Sequence, residues 1–270
     1  MRQRCVTFDL WETLIFDDPE KDDARGQMRY EGVQKVLSEH GIELAVDHLK
    51  RGYEESAPIL QTSWDRNEEV SIIDQIRLIV KLAAGRDVTF DHSWMPQLEE
   101  AYVDPILDIP PKLTSEASSV LLAVKTRGYK VGLISNTGRS PGSALRRLLD
   151  RYGVLKFFDA TVFSNEVNRR KPDRIIFDRA ARLLNAECKE IIHVGDNPEA
   201  DFWGARNAGM SGLLLEQTLP NSARWPPNSL FALARENWCS TGSAIDPLLR
   251  VKSLAEALDR IDSLFARKDD

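Results

Sequence analysis

One short apolar run, Cys5-Val6-Thr7-Phe8, opens the chain, and the runs that could pair with it all lie more than a hundred residues later. From Asp108-Ile109-Pro110-Pro111 onward, where two prolines interrupt helix, apolar runs alternate with segments of helical periodicity. The spacing predicts helices over 115–127, 143–152, 173–184 and 200–207, and strands over 130–134, 160–163, 191–194 and 212–215. Strands followed by crossover helices make a parallel sheet, and the opening strand, which has no neighbour of its own, must join it. The expected fold class is therefore α/β, with a Rossmann-like, doubly wound parallel sheet core built from residues 1–16 and 108–270.

Residues 17–107 read differently. An acidic patch (Asp17, Asp18, Glu20, Asp22, Asp23) leads into a helix over about Arg25–Glu39 that stops at Gly41, and further helices are expected over Val46–Glu55, Val70–Leu82 and Trp94–Val103. This block is expected to form an inserted, all-helical cap domain. A last helix, Ser253–Phe265, carries Leu254, Ala257, Leu258, Ile261 and Leu264 at helical spacing and is expected to pack on the sheet. The stretch Thr218–Pro247, which contains Pro220, Pro226 and Pro227 with Trp225 and Trp238, reads as an irregular excursion.

A chain of 270 residues with 42% apolar and 29% charged residues has the make-up of an ordinary globular protein. Its net charge of -6 argues against nonspecific attraction to nucleic acid or to an anionic membrane. Cys5, Cys188 and Cys239 are an odd number without C-x-x-C spacing and read as free thiols. With no cationic-then-apolar leader and no run of about 18 apolar residues, a cytoplasmic location is expected. His40, His48, His92 and His193 lack zinc-ligand spacing and read as surface or packing residues.

Each predicted strand ends in polar residues. Asp9 follows the first, Ser135 and Asn136 follow the second, Arg169-Arg170-Lys171 lie beyond the third, and Asp196 follows the fourth. In a parallel sheet these ends share one edge, so residues distant in sequence converge there. Asp9, Asp196 and Asp201 are hard oxygen donors whose mutual repulsion a divalent cation such as Mg²⁺ would relieve. Ser135 and its neighbouring amides, with Lys171, offer donors and positive charge to an anionic group, and Asp9 is placed to act as a carboxylate nucleophile.

Four segments carry a family resemblance: Asp9-Leu10-Trp11-Glu12-Thr13, Leu133-Ile134-Ser135-Asn136, Lys171-Pro172-Asp173 and Gly195-Asp196-Asn197-Pro198-Glu199-Ala200-Asp201. In order, spacing and strand context they resemble the four motifs of the haloacid dehalogenase (HAD) superfamily, and the helical block resembles that family's C1 cap. The resemblance implies a Mg²⁺-dependent phosphatase that acts through an aspartyl-phosphate intermediate on a small phosphorylated metabolite. It casts Asp9, Ser135 and Lys171 as catalytic residues and Ser135, Asn136 and Lys171 as substrate-binding residues. Asp9, the Trp11 backbone carbonyl, Asp196 and Asp201 would hold the metal. The implied partner is a small anionic substrate, with no nucleic acid and no membrane, and the chain acts as a monomer or homodimer.

Trp11 departs from the pattern. Phosphatases of the family usually carry Asp there, and an indole neither gives nor takes the required proton. General acid–base help is worth about 10²–10⁴ in rate, so its loss weighs most on poor leaving groups. One reading is a phosphatase that uses activated substrates, or that draws its acid from Glu12 or a cap carboxylate. A second is a 2-haloacid dehalogenase, whose branch has an aromatic at this position and expels a halide that needs no proton, although Asp196 and Asp201 predict a cation that such enzymes lack. A third is a catalytically weakened binding or regulatory member. In the helical block, Arg25 and Arg29 share one face and either meet a substrate anion or, as the expectation preferred here, form a solvated salt-bridge face with Asp22 and Glu39. Trp64 and Trp94 are expected to be core residues, and Glu12 a turn residue.

Overall fold

The computed structural model describes residues 3–216, 229–233 and 245–266. The first strand, β1 (Cys5–Phe8), is followed by a two-residue strand, β2 (Ile15–Phe16). Five helices come next: α1 (Pro19–Glu39), α2 (Val46–Trp64), α3 (Ile72–Ala84), α4 (Met95–Val103) and the single turn α5 (Pro105–Asp108). The chain returns through β3 (Lys112–Leu113) and then alternates: α6 (Ala117–Thr126), β4 (Lys130–Ser135), α7 (Gly142–Arg151), β5 (Ala160–Phe163), α8 (Ser164–Val167), α9 (Arg174–Leu184) and β6 (Ile191–Gly195). A π-helical turn, Pro198–Trp203, precedes α10 (Gly204–Asn207) and β7 (Ser211–Leu215). The described remainder is α11 (Leu230–Leu233), β8 (Arg250–Val251) and α12 (Leu254–Ala266).

The strands form a six-stranded parallel sheet in the order β5-β4-β1-β6-β7-β8, with β1 between β4 and β6 as its isolation in sequence required. Both faces of β1 are covered. Val6 and Phe8 pack with residues of α6 and α12, while Cys5 faces the other way into the cluster that contains α9. Truncating Phe8 to Ala at such a position costs about 3–5 kcal/mol. No helix among the described residues is long and apolar enough to cross a membrane.

The elements between β2 and β3 are all helical. Where the chain leaves the sheet and returns to it, β2 and β3 pair antiparallel, Ile15 opposite Leu113 and Phe16 opposite Lys112. Arg25 reinforces this crossing: it ion-pairs with Asp17 on the outgoing segment and donates to the Ile109 carbonyl, 2.9 Å away, on the returning one.

Two helices are longer than periodicity indicated. The acidic patch belongs to α1 itself: Asp18 caps it through Lys21 N, and Glu20 and Asp22 occupy the first turn, where negative charge meets the helix dipole. Helix α2 runs on through Pro58 to Trp64. Packing overrides the proline penalty there: Leu60 and Trp64 beyond Pro58 are buried, and earlier in the helix Gly52 lets α2 close on α3. A Cβ on Gly52 would lie 3.1 Å from Ala83 N and still nearer the Ile79 carbonyl. The helix expected over 200–207 instead begins as the π-helical turn, which carries Asp201. In the last helix Leu254, Ala257 and Ile261 are buried as expected, and Phe265 completes the stripe while Leu258 and Leu264 are only partly covered. Of the Thr218–Pro247 excursion, only residues 229–233 and 245–247 lie among those described, and Cys239 lies outside them.

Candidate active site

Three adjacent strands deliver the site. Ser135 is the last residue of β4, Asp9 follows β1 with its amide bonded to the Val194 carbonyl at 2.9 Å, and Asp196 follows β6. Asp201 is brought back beside them by the turn after β6, and Lys171 arrives from the loop after α8. The carboxylates of Asp9, Asp196 and Asp201 offer ligand atoms within 4.8 Å of one another.

Lys171 is the hub. Its Nζ donates to Asp9 Oδ1 at 2.5 Å, to Asp201 Oδ1 at 2.6 Å and to the Ile134 carbonyl at 2.8 Å. Asn136 fixes the Lys171 backbone with a double hydrogen bond: its Oδ1 accepts from Lys171 N at 2.8 Å and its Nδ2 donates to Lys171 O at 3.0 Å. The Asn136 side chain therefore serves the lysine directly. Ser135 is fully buried, with its hydroxyl 3.3 Å from the Asn136 carbonyl.

Behind the hub lies a relay that strand periodicity alone did not single out. The completely buried His193 places Nε2 3.1 Å from Asp201 Oδ1 and Nδ1 2.9 Å from Thr7 Oγ1. Burial holds the imidazole below its usual pKa, against the pull of Asp201. The neutral ring then donates through Nε2–H to the carboxylate and accepts from the Thr7 hydroxyl. Asp201 Oδ2 accepts from Asn197 N at 3.0 Å. Gly195 makes room for this arrangement, since a Cβ there would lie 2.5 Å from Asp201 Oδ2. His193 is thus a packing residue, as expected, but one that packs by holding a member of the site.

Two buried carboxylates share one ammonium. Burial pushes Asp9 above the ordinary carboxylate range and Asp201 adds to the rise, with Lys171 opposing. Burial acts the same way on Asp201, but Lys171 and His193 outweigh it and hold that acid well below the range. Burial would lower Lys171, yet Asp201 and Asp9 hold it above its usual value. Three acids at one edge with a single lysine among them leave net negative charge, and their hard oxygens fit a divalent cation.

The cluster opens into a cavity of about 630 Å³ between the sheet edge and the helices, lined by Asp9, Trp11, Lys171 and Asp196 below and by residues of α1 and α2 above. Ser229 and Leu230 also reach it. Trp11 faces this space and packs in part against the core. Glu12 sits in the turn after β1 with φ 58°, its amide bonded to the Ile15 carbonyl at 2.8 Å, and is buried beside the cavity.

The expected solvated face at Arg25 and Arg29 is not there: both side chains are at least 98% buried. Arg25 is consumed by the crossing between sheet and helices, and Arg29 faces inward toward α4 and the loop after β4. Helix α1 packs against α2 and α4, so this face turns into the protein and onto the cavity instead of toward bulk solvent. Trp94 is a core residue stacked on His40 at 4.5 Å. Trp64 is buried too, but it also walls the cavity and carries the Arg170 guanidinium 4.5 Å over its ring. Arg170 itself bonds Glu69 and the Thr137 carbonyl, each at 2.5 Å. Arg170 is marked in the sequence only as part of the basic group Arg169-Arg170-Lys171, and Arg139 not at all, because a single arginine in a loop carries no periodic signal.

Residues 3–209 match the family described as haloacid dehalogenase-like hydrolase. The chain belongs to that family, and it is a hydrolase by that membership. The glyceraldehyde 3-phosphate phosphatase of Methanopyrus kandleri is 33% identical over 217 residues, which is 77% of this chain and 81% of that protein. The protein of the same name from Methanothermobacter thermautotrophicus is 36% identical over 109 residues, so the match spans 40% of this chain and less than half, 46%, of that relative. Among solved structures, the 2-haloacid dehalogenase of Pseudomonas syringae pv. Tomato DC3000 superposes with a TM-score of 0.62 at 18% identity, over 98% of this chain and all of that one, and shares its fold.

Proposed function

We propose that the protein is a Mg²⁺-dependent phosphatase of small phosphorylated metabolites, with Asp9 as its nucleophile and residues 17–107 as the cap that closes the site and selects the substrate. The observation that carries this reading is the Lys171 ammonium held between Asp9 and Asp201 at the edge of the sheet, beside Asp196 and open to the cavity. The phosphatase names borne by relatives support it.

Asp9 attacks phosphorus, the bond to the leaving oxygen breaks, and an aspartyl phosphate forms on residue 9. Water then attacks that phosphorus, inorganic phosphate leaves, and the carboxylate is restored. Lys171 orients Asp9 and neutralises charge on the transferring group, and the hydroxyl of Ser135 together with the amides after β4 binds its oxygens. Asp9, the Trp11 carbonyl and Asp196 would hold Mg²⁺. Asp201, whose oxygens already serve Lys171, His193 and Asn197, would reach the ion through water. When bound, the ion supplies positive charge that offsets repulsion between the nucleophile and an anionic substrate. Trp11 gives no proton to the leaving group, so aryl and acyl phosphates, which depart unprotonated, are the favoured substrates. A cytoplasmic site of action fits such metabolites.

A second reading has Trp11 in its favour. An aromatic side chain facing the cavity beside Asp9 suits displacement of halide from a 2-haloacid, which also needs no acid. One paired screen separates the two: p-nitrophenyl phosphate, acetyl phosphate and 2-chloropropionate, each with and without EDTA. The phosphatase reading expects EDTA-sensitive phosphate release that Asp9→Asn abolishes. Chloride release insensitive to EDTA, without phosphate release, would replace it with the dehalogenase reading.

A further inference from the structure

The cavity above Asp9 carries two arginines that no carboxylate contacts directly; the acids nearest in charge, such as Asp22 for Arg139, act only at longer range. Arg29 and Arg139 are 2% and 7% exposed and line the same space as Asp9 and Lys171. Arg29 donates from Nε to the Tyr102 carbonyl at 3.1 Å, from Nη1 to the Tyr53 hydroxyl at 3.2 Å and from Nη2 to Ser140 Oγ at 3.1 Å. Arg139 donates from Nη1 to the Tyr102 hydroxyl at 2.7 Å and from Nη2 to the Tyr53 carbonyl and Ser56 Oγ, both at 3.0 Å, with its guanidinium 3.8 Å over the Tyr53 ring. Every one of these acceptors is neutral. Among the described residues neither arginine forms an ion pair, whereas the buried Arg25 and Arg170 are matched by Asp17 and Glu69.

A guanidinium has five N–H donors and each of these two commits three, so both retain donors. Taking one cation out of water without a counter-charge is costly, and two cations bridged by the same Tyr53 and Tyr102 repel each other as well. Neutral hydrogen bonds hold the pair in place but do not cancel its charge. An arriving anion does. The planar forks suit a carboxylate or a phosphate group.

We propose that Arg29 and Arg139 form a second anion subsite, which binds an oxyanion of the substrate remote from the phosphoryl group that reacts at Asp9. The preferred substrates then carry two anionic groups: the phosphate that is cleaved and a carboxylate or second phosphate on the leaving portion. This deepens the phosphatase reading and rests on it. The competing role is a purely structural clamp that ties α1, α2 and α4 to the loop after β4.

The test compares three aryl phosphates: 3-ethylphenyl phosphate, 3-(carboxymethyl)phenyl phosphate and 3-(phosphonomethyl)phenyl phosphate. Their phenols leave with similar ease, so they differ chiefly in the remote charge. For the wild type, kcat/KM for one or both charged substrates exceeds that of the ethyl compound by at least about tenfold, expressed mainly in KM. Which of the two leads identifies the oxyanion. In Arg29→Gln and Arg139→Gln that ratio collapses toward one whatever happens to the absolute rates, and Arg139→Lys recovers part of it. A structural clamp would lower all three substrates together and keep the ratio, which would overturn the subsite. Equal kcat/KM for charged and ethyl substrates in the wild type would overturn it without any variant and leave the phosphatase reading standing. No hydrolysis of any of the three would overturn both.

Discussion

Lys171 Nζ lies 2.5 Å from Asp9 Oδ1 and 2.6 Å from Asp201 Oδ1, so a single ammonium serves two carboxylates that are both almost wholly buried. Removing it strands both acids. Lys171→Met should destabilise the fold by about 3–5 kcal/mol, as other broken buried ion pairs do. It should also lower kcat by about 10²–10³, the range for loss of one preorganised electrostatic group. Chemical denaturation and steady-state kinetics on the same preparation check the two together.

The relay behind the lysine predicts coupling. Thr7, His193 and Asp201 are linked through one neutral imidazole. His193→Leu and Thr7→Val should each cost about 1–3 kcal/mol, because each leaves a buried polar partner unanswered. The double variant should cost less than the sum, since both remove the same bond. A double-mutant cycle by urea unfolding reads this directly, and strict additivity would mean that the imidazole does not join the two.

The metal reading carries a pH signature. Burial, reinforced by Asp201, raises the Asp9 pKa above 3.8 in the metal-free protein. The sign follows: a raised carboxyl stabilises the fold fully below its unfolded value, and that contribution is lost as pH rises through the folded one. Mg²⁺ binds only the carboxylate form. The rise in Tm on adding Mg²⁺ should therefore be larger at pH 8 than at pH 5.5, as measured by scanning calorimetry. A shift that is equal at both pH values, or larger in acid, would contradict Asp9 as a ligand.

Trp11→Asp restores a group that can give and take a proton beside the leaving oxygen. Alkyl phosphate hydrolysis should rise by up to about 10²-fold and by more than hydrolysis of aryl phosphates, because only the poor leaving groups need the acid in addition to help in activating water. Rates for ethyl phosphate and p-nitrophenyl phosphate in the two proteins make the comparison.

Much of this arrangement was legible in the sequence, for physical reasons. Alternating apolar runs fix a parallel sheet, and a parallel sheet puts the ends of β4, β1 and β6 on one edge, so Ser135, Asp9 and Asp196 had to converge. What the sequence concealed depends on contacts between segments distant along the chain. His193 looks like any residue of an apolar strand until its neighbours across β1 and in the turn after β6 are known. The i, i+4 spacing of Arg25 and Arg29 showed that they share a helix face but not that the face is buried, because that is decided by α4 and the loop after β4. The length of α2 was hidden by Pro58, whose local penalty is overridden by the burial of Leu60 and Trp64 beyond it.

The central claim is that the carboxylate of residue 9 carries the phosphoryl group during turnover. The most direct test is borohydride reduction of the enzyme during turnover of acetyl phosphate with Mg²⁺, followed by peptide mass spectrometry. An aspartyl phosphate is reduced to homoserine, so homoserine is expected at position 9 and is absent without substrate. Continued turnover with Asp9 unreduced, or homoserine at any other acid, would contradict it.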